Sequence, residues 1–300
     1  MLTLKNHLNR RRWIAALLLT TGFALIVPGP AGAQVAREYR DVTYATVGGK
    51  DLRLDVYIPA DVTAPPLLIW VHGGAWRSGT KDGVPKQFVG RGIATASLDF
   101  RQSTDARFPA MVHDIKAAIR FLRAKAGEYG YRGERIAIGG NSSGGHLAAL
   151  VGVTNGDARL EGTVGAYLTQ SSSVQAIVDY YGASNLMTIL AQSTPFGLTV
   201  RRPALELLLG ALPDSAKELA ELASPVFHVD RSDPPLLLLH GDQDPQMPIN
   251  QAHELQGAYA KFGLDVYFDV VHGAAHGGGL FFSPDRVERV LAFLHRSIGR

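Results

Sequence analysis

Hydrophobic residues along this chain are gathered into short continuous runs that are separated by polar and glycine-rich segments. Leu67–Val71, residues 136–138 and residues 236–239 are apolar at every position. Such runs are too short for helices and are typical of strands that are buried on both faces of a parallel sheet. Residues 41–47 and 52–58 lie on either side of a Gly-Gly pair, which predicts an antiparallel hairpin at the sheet edge.

Longer segments between these strands predict helices. The alternation favours one α/β domain with a doubly wound, mostly parallel sheet and flanking helices. Residues 184–223 interrupt the alternation and predict a small helical cap, with a surface excursion as the alternative. Residues 157–173 predict a polar loop. The predicted helices cover residues 111–125, 144–153, 250–262 and 284–298.

A Gly-x-Ser-x-Gly turn joins one of the strands to the helix that follows it. Residues 140–144 read Gly-Asn-Ser-Ser-Gly, directly after an apolar run. In a strand, turn and helix setting this pattern forms a nucleophile elbow, whose serine hydroxyl is lifted clear of the sheet edge. A glycine-rich turn without chemistry is the alternative for an isolated match. Ser142 is therefore the candidate nucleophile.

Two later loops supply candidates for the acid and the base that a nucleophilic serine needs. Asp242 and Asp244 follow the strand of four leucines. His272 and His276 follow a strand predicted at Val266–Val271. The order serine, acid, histidine is that of the elbow architecture, and open parallel sheets place their sites at the carboxyl ends of strands. Side-chain chemistry alone leaves both pairs open.

A glycine-rich turn after Leu67–Val71 provides candidate hydrogen-bond donors. Residues 72–76 read His-Gly-Gly-Ala-Trp. Backbone N–H groups exposed at this point, together with the N–H of Ser143 after the elbow serine, form the oxyanion hole of an elbow site. His72 is predicted to be a scaffold residue and not a base.

These motifs resemble the α/β-hydrolase esterases of the carboxylesterase and hormone-sensitive-lipase-like group, and within it bacterial carbohydrate and feruloyl esterases most closely. The resemblance implies an α/β-hydrolase fold. It also selects Asp244, at the last position of the His-Gly-x-x-Asp motif, and His276, which precedes Gly277. The matching pieces keep the family's order and are residues 72–76, 99–101, 108–110, 114–118, 142–148, 179–182, 224–225, 240–244 and 276–277.

The resemblance implies a serine hydrolase that cleaves carboxylic esters through an acyl-enzyme, with Ser142, Asp244 and His276 as its catalytic triad. The expected substrate is a small-molecule or polysaccharide-linked ester with a short-chain acyl, acetyl or feruloyl group. No metal or organic cofactor is implied. A peptidase or amidase on the same fold is the alternative enzyme, and a non-catalytic binding protein is the alternative outside enzymes.

The resemblance also assigns the oxyanion hole to the backbone N–H groups of Gly74, Ala75 and Ser143. The family usually has alanine at the position of Ser143 and a third glycine at the position of Ala75. Neither departure removes a backbone donor. Phe100 stands where the family has tyrosine, so a phenolic hydroxyl and its hydrogen bond are lost.

Aromatic residues near these motifs are candidates for lining a substrate pocket, and burial in the core is the alternative for each. The aromatic candidates are Trp76, Tyr180, Tyr181 and Phe196. Acyl-chain length would be set by residues of the cap, whose positions in space the sequence does not give.

Residues 1–33 have the three parts of a secretory signal. Basic residues precede an apolar stretch at residues 13–27, and Ala-Gly-Ala at residues 31–33 is a predicted cleavage site. An uncleaved membrane anchor is the alternative, but about 15 apolar residues are short against the roughly 20 that span a bilayer. The sequence thus predicts a bacterial protein exported to the periplasm or the exterior, with one catalytic domain over residues 34–300.

Removal of the signal would reverse the sign of the net charge. The whole chain carries +3, but residues 1–33 hold four basic and no acidic residues, so the remainder carries −1. A nucleic-acid partner therefore has no support, and no stable membrane association is expected after cleavage. The chain has no cysteine, which excludes disulfides and thiol catalysis. The amino-acid sequence gives no indication of the oligomeric state.

Overall fold

An eight-stranded sheet forms the centre of residues 35–299, the part of the chain that the computed structural model describes. The predicted signal at residues 1–33 lies outside the described residues. The strands are β1 (Val35–Val47), β2 (Lys50–Pro59), β3 (Leu67–Val71), β4 (Ala94–Leu98), β5 (Ile136–Asn141), β6 (Ala176–Tyr180), β7 (Leu236–Gly241) and β8 (Val266–Val271).

Most of the sheet is parallel, and the antiparallel strands lie at one edge. The order across the sheet is β1-β2-β4-β3-β5-β6-β7-β8. β1 pairs with β2 and β2 pairs with β4 in antiparallel fashion, whereas all pairs from β4 to β8 are parallel. The carboxyl ends of β3, β5, β7 and β8 therefore open at one edge, where the loops with the predicted site residues follow.

Helices cover both faces of the sheet, and each face has its own hydrophobic core. Met111, Leu147 and Leu255 belong to the core on one face, and Val290 and Leu294 belong to the other. Among the described residues, none of the helices is both long and apolar enough to cross a bilayer. The helices are α1 (Ala110–Ala124), α2 (Ala126–Tyr129), α3 (Ser143–Gly152), α4 (Ala158–Glu161), α5 (Ile189–Gln192), α6 (Pro195–Leu209), α7 (Lys217–Leu222), α8 (Asn250–Phe262) and α9 (Pro284–Ile298).

This architecture confirms the predicted doubly wound, mostly parallel α/β sheet with flanking helices. Two strands, β4 and β6, have buried polar residues that interrupt their apolar runs. Thr95 and Ser97 are buried in β4, and Asp179 is buried in β6. A search for continuous apolar runs therefore does not single these strands out.

Residues 184–223 fold as a helical segment made of α5, α6 and α7. The sequence around Pro195 separates two apolar stretches, but in the structure it begins a helix. Thr194 Oγ1 accepts a hydrogen bond from the Gly197 N–H at 2.9 Å, which caps the first turn of α6. Proline at a first helical position loses no intrahelical hydrogen bond, so the apparent break is a helix start.

The predicted polar loop at residues 157–173 contains the one-turn helix α4. Glu161, at its end, accepts hydrogen bonds from Lys116 Nζ at 2.8 Å and from Arg120 Nη1 at 3.0 Å. Both cations lie on α1 and are buried, so Glu161 balances charge that would otherwise be costly to bury. These bonds anchor the segment on α1.

Candidate active site

Ser142 lies at the sharp turn between β5 and α3. Its backbone has φ 55° and ψ −123°, a conformation that is rare for residues with a side chain. A Cβ at Gly140 would lie 2.4 Å from Gly144 O, and a Cβ at Gly144 would lie 2.2 Å from Val71 O. Both glycines are therefore required for the close approach of strand and helix. The Ser142 N–H donates to Tyr180 O at 2.8 Å, which ties the turn to β6.

His276 and Asp244 extend a hydrogen-bonded series from the Ser142 hydroxyl. His276 Nε2 lies 2.8 Å from Ser142 Oγ, and His276 Nδ1 lies 2.6 Å from Asp244 Oδ2. An ionised carboxylate is an acceptor only, so Nδ1 carries the ring proton and Nε2 is free to accept the serine proton. Three loops thus bring serine, histidine and acid into one geometry.

Asp244 is held as a carboxylate by donors from its own loop. Its Oδ1 accepts the N–H groups of Gln246 at 2.8 Å and Met247 at 2.9 Å. Burial raises the pKa of Asp244, but the two nearby histidines and the Met247 N–H outweigh burial, and the pKa lies well below its usual range. His240 Nε2 lies 3.6 Å from Asp244 Oδ2 and 2.9 Å from Met247 O. His240 therefore donates to the Met247 carbonyl, and His276 is the stronger histidine partner of Asp244.

The other two candidates form a separate pair at the surface. His272 Nδ1 lies 2.8 Å from Asp242 Oδ2, and the His272 side chain is 83% exposed. Asp242 also accepts the Gly273 N–H at 2.8 Å. No hydrogen bond of residues 35–299 joins either side chain to Ser142. Of the alternatives that side-chain chemistry left open, the structure brings Asp244 and His276 to the serine.

The turn after β3 presents backbone N–H groups beside the elbow. Gly74 has φ 125° and Ala75 has φ 53°, and a Cβ at Gly73 would lie 3.2 Å from Ser142 Cβ. Among the hydrogen bonds of the described residues, neither the Gly74 N–H nor the Ala75 N–H is a donor. Ser143 is the first residue of α3, where an N–H has no partner within the helix. Donors are thus available at all three predicted oxyanion positions.

His146 joins this turn to the elbow helix. Trp76 Nε1 donates to His146 Nδ1 at 2.9 Å, and His146 Nε2 donates to Ala223 O at 2.6 Å. Burial lowers the pKa of His146 to about 4, so the ring is neutral and acts as acceptor and donor at once. His146 therefore connects the turn after β3, α3 and the end of the helical segment.

His72 lies beneath the turn, as its predicted scaffold role requires. Its side chain is buried, its Nδ1 donates to Gly73 O at 2.8 Å, and its ring stacks on Phe100 with centroids 4.5 Å apart. Burial lowers the pKa of His72. In the described part of the chain, His72 makes no hydrogen bond to Ser142.

A pocket of about 280 Å³ opens at the elbow. Of the four aromatic candidates, Tyr181 lines it, with its ring centroid 4.8 Å from that of His276. Trp76 and Tyr180 are buried in the core, and Phe196 is 54% exposed. These three do not line the pocket.

Arg201 of α6 also lines the pocket, although none of the sequence motifs contains it. It is buried, as are Ala204, Leu205 and Leu208. These positions follow the spacing i, i+3, i+4 and i+7 of one helix face. A charged residue on an otherwise apolar face was the signal in the sequence that could have identified Arg201.

The fold and the site define an α/β-hydrolase. An elbow serine after β5, an acid after β7 and a histidine after β8 follow the chain order of that class. More narrowly, the chain belongs to the BD-FAE family, whose model matches residues 54–259. Within residues 35–299, no three His, Asp or Glu side chains are grouped as ligands for a metal ion.

Comparison with known proteins gives similar chains that are named as esterases. The chain is 30% identical over 237 residues to the probable carboxylic ester hydrolase LipM of Mycobacterium tuberculosis, covering 75% of this chain and 53% of LipM. A truncated carbohydrate esterase from gut microbiota superposes with a TM-score of 0.79 at 29% identity, covering 91% of this chain and 100% of that one. Esterase 2 of Thermogutta terrifontis, phosphorylated by paraoxon, superposes with a TM-score of 0.71 at 25% identity, covering 88% and 95%. The chain spans about half the length of the curated mycobacterial relatives it matches.

Proposed function

We propose that the protein is a serine esterase that hydrolyses carboxylic esters through an acyl-enzyme. One observation carries the proposal: the continuous series from Ser142 Oγ to His276 Nε2 at 2.8 Å and from His276 Nδ1 to Asp244 at 2.6 Å. The family and the names of similar proteins support the same chemistry.

Acylation begins with attack of Ser142 Oγ on the carbonyl carbon of the ester, while the hydroxyl proton moves to His276 Nε2. The carbonyl oxygen becomes an oxyanion and accepts N–H bonds from the turn after β3 and from the start of α3. Asp244 fixes the ring so that Nε2 faces the serine, and its negative charge stabilises the imidazolium.

Acylation ends when His276 gives its proton to the leaving alcohol as the carbon–oxygen bond breaks, which leaves the acyl group on Ser142. Deacylation then repeats these steps with water as the nucleophile. The neutral ring then takes a proton from a water molecule that attacks the acyl-enzyme. Collapse of the second tetrahedral intermediate returns the proton to Ser142 and releases the acid.

As substrate we propose an ester with a short acyl, acetyl or feruloyl group, either free or carried on plant polysaccharide. The pocket of about 280 Å³ is at the small end of ligand sites, so a polysaccharide chain would lie outside it. A similar solved structure is named a carbohydrate esterase, which supports this substrate class.

We also propose export directed by residues 1–33, which would bring the enzyme to a substrate outside the cytoplasm. Expression of the full chain in a bacterial host, followed by fractionation and amino-terminal sequencing, tests this point. A mature chain that begins at residue 34 outside the cytoplasm is expected. An intact chain retained in the cytoplasm would contradict export.

Hydrolysis of a chain-length series of 4-nitrophenyl esters tests the activity, with methyl ferulate, acetylated xylan and a matched anilide alongside. Ser142→Ala should lower kcat at least about 10⁴-fold, because removal of a triad serine has cost about 10⁶-fold elsewhere. The exposed Ser215 provides the control variant Ser215→Ala, which should turn over esters like the wild type. Equal ester turnover by Ser142→Ala, or cleavage of the anilide alone, would contradict the proposal.

A further inference from the structure

Arg201 places a buried positive charge in the wall of the pocket. Its side chain lines the pocket together with Ser142 and His276, yet the residue is only 1% exposed. Arg201 lies on α6, in the helical segment 184–223. The charge thus comes from outside the central sheet, and Arg201 lines the same pocket as the candidate nucleophile.

The Arg201 guanidinium has unused donors. Its Nε and Nη1 are buried and have no hydrogen-bond partner among the described residues. The Arg201 Cζ lies 5.8 Å from the centre of the Trp76 ring. A cation–π contact of this kind stabilises the charge but satisfies none of the N–H groups.

Two other buried cations of the described residues are paired. Lys116 Nζ lies 2.8 Å from Glu161 Oε1, and Arg120 Nη1 lies 3.0 Å from Glu161 Oε2. A buried charge without a counter-ion costs free energy. Arg201 therefore differs from Lys116 and Arg120, which have a carboxylate partner, and it lies in the wall of the pocket.

The residues around the pocket leave positive charge uncompensated. Arg201 and the exposed Arg77 both line it, and none of the lining residues is aspartate or glutamate. Burial lowers the pKa of Arg201 to about 10, although Asp244 opposes that shift, so the side chain is protonated at neutral pH. Asp244 already accepts hydrogen bonds from His276 and from its own loop, which leaves Arg201 to pair with something else.

We propose that Arg201 binds an anionic group of the ester substrate, so that the site selects esters that carry a carboxylate. The inference rests on the proposed ester hydrolysis at Ser142. A guanidinium donates N–H groups to a carboxylate, and such charge-assisted hydrogen bonds are about twice as strong as neutral ones. The carboxylate belongs either to the acyl group or to the leaving alcohol, and two arms of one experiment separate these sources.

Each arm compares an anionic ester with a neutral ester of similar shape. For the acyl side, the pair is the 4-nitrophenyl monoester of adipic acid and the methyl 4-nitrophenyl diester. For the alcohol side, the pair is 4-acetoxybenzoate and 4-acetoxybenzamide. With rates corrected for spontaneous hydrolysis, the wild type should show a kcat/KM about tenfold or more higher for the anionic member of one pair.

Arg201→Met removes the charge while keeping an unbranched side chain. The ratio of kcat/KM between the preferred anionic ester and its neutral partner should fall about 10- to 100-fold, mainly through a higher KM for the anion. Arg202 is the next residue on the same helix and is exposed. The control variant Arg202→Gln removes an equal charge outside the pocket, where solvent screens it, and should keep the ratio within about twofold.

Several results would overturn the inference. One is a wild type that hydrolyses neutral esters and prefers neither anion; another is a ratio that Arg201→Met leaves unchanged or that Arg202→Gln lowers equally. If Arg201→Met does not fold, competitive inhibition of the wild type decides: benzoate should inhibit about tenfold better than benzamide, and equal inhibition would overturn the inference. A wild type that hydrolyses none of the four esters and none of the 4-nitrophenyl series would instead remove the proposed function.

Discussion

Each of the two histidines after β8 bonds an aspartate through Nδ1, but their other ring nitrogens face different surroundings. His276 Nε2 reaches Ser142 Oγ at 2.8 Å, whereas the His272 side chain is 83% exposed to solvent. A general base must lie within hydrogen-bond reach of the proton it takes. The two otherwise similar pairs therefore have different expected roles.

Parallel substitutions in the two pairs test this difference. His276→Gln should lower kcat about 10⁴-fold or more and Asp244→Asn about 10³- to 10⁴-fold, because the base or its tautomer is lost. His272→Gln and Asp242→Asn are the matched controls, and their kcat should stay near that of the wild type. Steady-state kinetics on a 4-nitrophenyl ester checks all four, and a large loss in the control pair would refute the assignment.

Gly74 is a second position where the addition of one atom, a Cβ, should change catalysis. Its φ is 125°, and an added Cβ would lie 2.0 Å from Ser78 O, so Gly74→Ala must move the turn that presents the oxyanion donors. Loss of one such donor costs about 10²- to 10³-fold in kcat, with a smaller change in KM. Gly257→Ala, where an added Cβ meets nothing within 4 Å, serves as the control. Equal kinetics of the two variants would contradict the oxyanion role of this turn.

Much of the candidate site can be predicted from the identity of residues in the sequence. The choice between alternative residues, however, depends on how the chain packs. Ser142 follows from a local pattern, whereas the preference for Asp244 over Asp242 came from the resemblance and not from side-chain chemistry. The structure favours Asp244 because its loop directs the N–H groups of Gln246 and Met247 at Asp244 Oδ1. No sequence motif predicts Arg201 as a site residue, because Arg201 reaches the pocket only through the position of α6 in the fold.

Among the elements, α3 depends on the neighbours that His146 connects to it. The ring links the turn after β3 through Trp76 and the end of the helical segment through Ala223. Removing the ring would leave a buried donor and a buried acceptor without partners. Each unsatisfied group costs roughly 1–3 kcal/mol.

His146→Ala should therefore lower the free energy of unfolding by roughly 2–5 kcal/mol, which includes the cavity that the ring leaves. Urea titration followed by circular dichroism measures the change. The exposed His295 on α9 provides His295→Ala as a control, which should stay within about 0.5 kcal/mol of the wild type. A His146→Ala protein as stable as the control would show that the ring does not hold these elements together.

Most of the helices and strands can be predicted from the sequence. The tertiary contacts of segments that contain polar residues cannot. Continuous apolar runs are recognisable as buried strands, so β3 and β7 stood out. β6 did not, because Asp179 lies within it and is fully buried. The sequence alone predicts a polar loop at residues 157–173, because the partners of Glu161 lie 45 residues earlier, at Lys116, and 41 residues earlier, at Arg120.

For the molecule as a whole, the buried Asp179 should make stability depend on pH. Burial raises the pKa of Asp179 to about 7, although His240 and the Gly182 N–H oppose the shift. The unfolded chain ionises this group above its ordinary value of 3.8. The fold holds it neutral up to about pH 7, so this group's contribution is full below about pH 4 and is lost as pH rises from there to about 7.

Asp179→Asn keeps the shape and the acceptor for the Gly182 N–H but cannot ionise. The stability of the variant relative to the wild type should therefore rise between pH 4 and pH 8, by at most on the order of 4 kcal/mol. Urea unfolding of both proteins at several pH values measures this difference. A difference that does not change with pH, or one that changes in the opposite direction, would contradict the account of Asp179.

Ser142 is the residue on which the proposed ester hydrolysis depends most directly. The most direct measurement is intact-mass and peptide analysis of the wild type after treatment with paraoxon, a reagent that phosphorylates the similar esterase 2 of Thermogutta terrifontis. We expect loss of esterase activity in step with one diethylphosphoryl group per chain, located on Ser142. Complete inactivation with the phosphoryl group on another residue, or an esterase that is fully active after modification of Ser142, would contradict the assignment of Ser142 as the nucleophile.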